Sequence, residues 1–193
     1  NPAYRTSELS YVLAQSGVSV LVSALRFKGS DYKVMIEKSR SFSEALREVI
    51  FLDEDWEQFI IKSNQISTEQ LEAIENTLQF DDPINIQFTS GTTGFPKGVT
   101  LSHYNLLNNS YFVGKRLNYS EDDKVCIPVP FYHCFGMVIG NLCCTSHGAC
   151  KVIPSESFEP LKVLEAVDKE RCTSLYGVPT MFIAELQLPE FSE

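Results

Sequence analysis

Ile86-Gln-Phe-Thr-Ser-Gly-Thr-Thr-Gly-Phe-Pro-Lys-Gly98 is the stretch from which the rest of this sequence can be read. Within it, the ten residues Thr89 to Gly98 hold three glycines, four hydroxyl side chains, one proline and one lysine. Glycine admits left-handed backbone and close approach, so successive amide N–H groups can converge on one anion. Thr89, Ser90, Thr92 and Thr93 add hydroxyl donors, and Lys97 adds a point charge on a flexible stem. A plain turn between strands needs neither the lysine nor the four hydroxyls. The composition is that of a polyphosphate-binding loop. The apolar run Ile84 to Phe88 leads into it and reads as a buried strand.

The spacing sets this loop apart from two commoner ones. A Walker loop places Lys-Ser/Thr directly after its last glycine, whereas Phe95-Pro96 follows Gly94 here. The dinucleotide fingerprint G-x-G-x-x-G fails as well, because Gly91, Gly94 and Gly98 lie three and four apart. A P-loop phosphotransferase is therefore remote, and no Walker-B strand is recognisable.

Outward from the loop, helix and strand signals alternate. Leu9, Val12 and Leu13 form a helical stripe that Gly17 closes, and Val18 to Val22 is a β-branched run of strand length. Residues 26 to 80 are polar and weakly patterned, apart from a short strand at Val49 to Leu52. A capping box at Ser67-Thr-Glu-Gln70 starts a helix with Leu71, Ile74 and Leu78 on one face. The stretch near 53–66 is expected as a surface excursion. After the loop, a helix from about His103 is capped by Ser102. Val125–Pro128 and Lys151–Ile153 read as strands flanking a buried helix. Pro160 opens a helix carrying Leu161, Leu164 and Val167, Ser174–Tyr176 is a last strand, and Pro179 opens a final helix. The alternation argues for an α/β fold with a largely parallel sheet and flanking helices.

Composition narrows the function. The net charge of −9 argues against nucleic acid as the main partner. Yet Pro83 to Ser120 contains no acidic residue, where about five would fall by chance, and this window holds the loop together with Lys97, Lys115 and Arg116. A zone of that kind suits an anionic ligand. The six cysteines form no C-x-x-C pair and, with three isolated histidines, complete no zinc spacing. They read as reduced thiols in an intracellular compartment. The uncharged run between Lys124 and Lys151 is broken by Pro128, Pro130, His133 and Gly136, so it reads as a buried helix rather than a membrane span.

At Ile86 to Lys97 the chain resembles the AMP-binding signature of the adenylate-forming superfamily, which includes acyl-CoA synthetases, peptide-synthetase adenylation domains and luciferases. Phe131-Tyr-His-Cys-Phe-Gly136 resembles that family's aromatic–histidine motif. Leu175-Tyr-Gly-Val-Pro-Thr-Met-Phe182 resembles one wall of its substrate channel, and Asn1-Pro-Ala-Tyr4 the entry to an earlier β-α unit. Asp82-Pro-Ile-Asn-Ile-Gln-Phe88 and Ser102-His-Tyr-Asn-Leu-Leu-Asn-Asn109 are similar to the medium-chain mitochondrial synthetases. The family's Tyr-Gly-x-Thr-Glu motif, ribose-binding Asp and C-terminal Lys have no counterpart before Glu193. Tyr176-Gly-Val-Pro-Thr180 begins like the first but carries Pro179 and Thr180 where Thr and Glu belong. The resemblance thus implies that residues 1–193 are part of a large N-terminal AMP-binding domain, with the C-terminal domain absent.

The implied chemistry is ligation in two steps. A carboxylate attacks the α-phosphorus of ATP to give an acyl-adenylate and pyrophosphate, and coenzyme A then displaces AMP. The resemblance places Thr89, Ser90, Gly91, Thr92, Thr93, Gly94, Phe95, Pro96 and Lys97 on the nucleotide, with Lys97 also catalytic and the Thr92 hydroxyl on Mg²⁺. It places His133 beside the α-phosphate and the acyl carboxylate as an orienting group. Taken without the loop, His133 would read as a buried, hydrogen-bonded histidine in a Pro/aromatic loop. Phe131, Tyr132 and Phe135 could line an acyl channel or simply belong to the core. Cys134 has no base placed for it, and His103 and His147 fall at helix ends. The implied substrate is a medium-chain fatty acid and the implied compartment the mitochondrial matrix. The alternative is a catalytically inactive nucleotide-binding fragment or a partial gene product of the same family. Oligomeric state is not legible.

Overall fold

The computed structural model describes residues 1–89 and 96–189, and three of its helices begin at a residue whose side chain caps them. Two compact units divide the chain, Asn1–Thr100 and Leu101–Glu193.

In the first unit, α1 (Thr6–Ser16) starts as the Glu8 carboxylate accepts the Arg5 N–H at 3.0 Å. It stops at Gly17, which takes the left-handed φ of 62° that a helix C-terminus favours. Strand β1 (Val20–Ser23) follows, then the two-residue strands β2 (Arg26–Phe27) and β3 (Ser30–Asp31), antiparallel to each other. Helix α2 (Tyr32–Ser39) is N-capped by Asp31, which accepts the Val34 N–H. Strand β4 (Glu48–Phe51) pairs parallel with β1, Val20 opposite Glu48 and Ser23 opposite Phe51. Leu13, Ile36, Leu46 and Ile50 form the buried core. Small hydroxyls let α1 be approached closely: Ser39 donates to the Thr6 carbonyl and Ser43 to the Leu13 carbonyl.

Beyond β4 the chain lies on the surface. Helices α3 (Trp56–Ile61) and α4 (Thr68–Glu75) bury no residue, although the capping box at Ser67 and Gln70 forms as read. Strand β5 (Pro83–Thr89) neighbours β6 (Lys97–Ser102) in a two-stranded sheet. The expected strand is present, but it is not buried: Ile84 and Ile86 are 45% and 43% exposed. Isoleucines alternate with Asn85 and Gln87, a pattern of one apolar face, and among the described residues β6 is its only strand neighbour.

In the second unit, α5 (His103–Leu117) is capped by Ser102, whose hydroxyl accepts the Asn105 N–H while the Asn105 side chain accepts the Ser102 N–H. A three-stranded parallel sheet follows in the order β8-β7-β9, with β7 (Lys124–Cys126) between β8 (Cys150–Val152) and β9 (Ser174–Leu175). The pairing runs on past the strand ends, since Ile127 N–H donates to Val152 O and Tyr176 N–H to Cys126 O. Val125, Ile127, Val129, Cys144 and Ala149 make the core, with Tyr119, Phe135, Tyr176 and Met181 packed against it. The buried helix of the uncharged run is a π-helix, Phe135–Leu142, continuing into α6 (Cys143–His147). Helices α7 (Pro160–Glu170) and α8 (Pro179–Leu186) each carry proline in the first turn. All six cysteines are free thiols, with Cys126, Cys143 and Cys144 buried. No helix among the described residues is long and apolar enough to cross a membrane.

Candidate functional site

Two of the quoted motifs, one in each unit, lie wholly or partly within the described residues. Of the phosphate loop, Thr89, Pro96 and Lys97 lie within the described residues, and Ser90, Gly91, Thr92, Thr93, Gly94 and Phe95 lie outside them. Thr89 is the exposed last residue of β5, and Lys97 is the exposed first residue of β6. The loop therefore joins two neighbouring strands, and the second of them, β6, separates it from α5. That strand went unread in the sequence because Lys97-Gly-Val-Thr-Leu-Ser102 carries only two alternating apolar residues, Val99 and Leu101, too few to stand out. Gly98 belongs to the sheet rather than the loop: a Cβ there would stand 3.1 Å from Ile86 Cγ2 and 3.3 Å from the Phe88 ring. A side chain at 98 would press on both, so glycine here permits the β5–β6 approach that anchors both ends of the loop.

The second motif is a turn, Pro130 to Cys134, between the end of the β7 segment and the π-helix. His133 sits on it, exposed. Its N–H donates to the Pro130 carbonyl at 3.2 Å, and its own carbonyl accepts from Met137 at 2.9 Å. Its ring Nδ1 accepts the Phe135 N–H at 3.1 Å. Phe131 and Tyr132 are exposed beside it. Phe135 instead turns into the core, its ring 5.5 Å from that of Tyr176. The three aromatics thus divide, two at the surface and one packed. Tyr176 buries its hydroxyl near Tyr119 and Cys143 but in hydrogen-bond geometry with neither, and burial drives its pKa upward. Gly177 lies against the Phe182 ring, 2.9 Å from where a Cβ would be.

The remaining candidates resolve into structural roles. Burial raises the Cys134 thiol, which suits a packed side chain and not a nucleophile. His103 opens α5 and His147 closes α6. The His147 ring stacks on Tyr111 at 5.3 Å, with Nδ1 within 3.1 Å of the Cys143 carbonyl and 3.0 Å of the Ser146 hydroxyl. Among the described residues no group of three His, Cys, Asp or Glu could hold a metal ion.

Comparison with known proteins decides the family. A family profile described as AMP-binding enzyme matches residues 1–193, end to end across both units. The chain belongs to the AMP-binding enzyme family. A putative acyl-CoA synthetase of Bacillus subtilis, YngI, is 39% identical over 212 aligned residues that take in 99% of this chain and 38% of that protein. The mitochondrial medium-chain acyl-CoA ligase ACSF2 of Homo sapiens is 39% identical over 217, taking in 100% of this chain and 35% of its own length. The chain therefore spans little more than a third of these relatives. In fold it is similar to ATP-bound MatB from Rhodopseudomonas palustris, with a TM-score of 0.72 at 24% identity over 97% of this chain and 35% of that one. The α/β architecture read from the alternation is that of the adenylate-forming N-terminal domain.

Proposed function

We propose that this AMP-binding chain is the phosphate-binding part of an ATP-dependent acid–thiol ligase that joins a medium-chain fatty acid to coenzyme A through an acyl-adenylate. The observation that carries the reading is the Gly/Ser/Thr-rich segment Thr89 to Gly98, which runs from the last residue of one strand to the first residues of its neighbour, in a chain that matches the AMP-binding profile throughout. Amides of Gly91, Thr92, Thr93 and Gly94 and the loop hydroxyls would surround the β- and γ-phosphates, with Ser90, Phe95 and Pro96 completing the loop's path. Lys97 would neutralise charge on the departing pyrophosphate, where preorganised donors lower the barrier most. His133 would hold the α-phosphoryl and carboxylate oxygens in line without taking a proton. The donor chemistry of Thr92 fits a hard cation, since hydroxyl and phosphate oxygens are suitable Mg²⁺ ligands. Bound Mg²⁺ would supply charge neutralisation across the phosphates.

The substrate class and the mitochondrial matrix rest on the likeness to relatives such as ACSF2. That this chain by itself binds nucleotide weakly and turns nothing over rests on its spanning about a third of them. Carboxylate-dependent exchange of labelled pyrophosphate into ATP tests the activity in the protein carried at relatives' length. Exchange should require a fatty acid and collapse in Lys97→Ala, while pre-formed acyl-adenylate still passes to coenzyme A. Equal loss of both half-reactions would reject the role of Lys97, and γ-phosphate hydrolysis without exchange would reject the ligase.

A further inference from the structure

We propose that Gly136 is a positioning residue that locks His133 into one neutral tautomer, with its proton on Nε2. The inference rests on the function above only for what the resulting donor faces, an anionic phosphoryl or carboxylate oxygen. The chemistry starts at Phe135. A backbone amide can only donate, so the 3.1 Å bond from Phe135 N–H requires Nδ1 to be a bare acceptor. A neutral imidazole then carries its hydrogen on Nε2, on the side of the ring away from Phe135. His133 is exposed, so burial does not impose this choice. The hydrogen bond does.

What keeps that bond made is the seat of the turn on the π-helix. The His133 N–H closes the turn on the Pro130 carbonyl at 3.2 Å, and its carbonyl ties the turn to the helix by accepting from Met137 at 2.9 Å. Gly136 is buried directly beneath. A Cβ at that position would collide with the Pro130 carbonyl and stand 3.0 Å from Phe131 Cδ1. The Pro130 contact is with backbone and cannot be relieved by a rotamer change. Any side chain at 136 therefore lifts the Pro130–His133 turn from the helix and pulls Nδ1 off the Phe135 amide. The consequence is a preset donor: Nε2–H waits for an oxygen without first choosing a tautomer, which removes an ordering cost from the step it serves.

Nitrogen-15 NMR of the uniformly labelled 193-residue chain, without nucleotide, reads the tautomer directly. His133 should show a pyridine-like Nδ1 and a pyrrole-like Nε2, with a through-hydrogen-bond coupling between the Phe135 amide nitrogen and Nδ1. Gly136→Ala should abolish the coupling and give averaged ring nitrogens. Gly140→Ala, in the same π-helix but against Ile127 Cγ2 at 2.9 Å, should leave the His133 pattern intact. A protonated or averaged Nδ1 in the wild type overturns the proposal whatever the variants do. An unchanged pattern in folded Gly136→Ala overturns the role of Gly136. Because these signals need no ligand, failure to bind ATP with the tautomer intact would count against the ligase reading alone.

Discussion

Replacing Gly114 by alanine should destabilise this protein, although alanine is the better helix former. In the interior of a helix the exchange ordinarily gains about 1 kcal/mol. Gly114, however, is buried on α5, and a Cβ there would collide with the His147 ring and stand 2.9 Å from Cys143 Sγ. The ring cannot easily move aside, because it is stacked on Tyr111 and bonded through Nδ1 to the end of α6. Overpacking of this kind costs about 1–3 kcal/mol, and displacing Nδ1 forfeits a hydrogen bond of about 0.5–1.5 kcal/mol. Against the propensity gain, the net loss is about 0.5–3.5 kcal/mol, a melting temperature lowered by roughly 1–14 °C for a chain of this size. The assay is thermal and urea unfolding of four proteins: wild type, Gly114→Ala, His147→Ala and the double variant. With the ring removed, Gly114→Ala should fall within about 1 kcal/mol of neutral, so the two substitutions should couple. Gly114→Ala costing the same in both backgrounds, or stabilising the wild type, would refute the close packing of α5 on α6.

Two further outcomes follow from buried titratable groups. Glu185 is 4% exposed, one carboxylate oxygen has no partner, and burial raises its pKa. A raised folded-state value means the protonated form is favoured: the stability it contributes is whole below the ordinary carboxylate range and is lost as pH rises through the folded value. Glu185→Gln should therefore raise the melting temperature at pH 7 and gain less at pH 4, and an equal gain at both would show that ionisation is not the cause. Thiol labelling provides the other check: burial pushes Cys126 up to about 12 and Cys144 to about 11, so neither should alkylate in the folded chain at pH 8. Exposed Cys150 should be modified first, and labelling of Cys126 ahead of it would contradict the buried central strand.

Much of this architecture was legible because its signals are local. A side chain that caps a helix acts on amides within three residues, so Ser67 and Ser102 announced α4 and α5, and Gly17 closed α1. Prolines 160 and 179 marked the starts of α7 and α8 for the same reason. Helix α2 was missed although Asp31 caps it, because its eight residues carry too little apolar periodicity to be heard in a polar stretch. Burial was the harder property. Ile84 and Ile86 are apolar in sequence and half-exposed in the structure, since whether a strand is covered depends on residues far away in the chain.

The sequence by itself determined the α/β class and the family, because signature residues at fixed offsets keep their meaning wherever the chain folds. Tertiary structure alone decided that the loop joins two neighbouring strands, that Phe135 turns inward while Phe131 and Tyr132 stay at the surface, and that the uncharged run winds as a π-helix. It alone placed the Phe135 amide on Nδ1 of His133 and the bare face of Gly136 under Pro130. Those contacts depend on how closely one backbone may approach another, a distance that only packing in three dimensions sets.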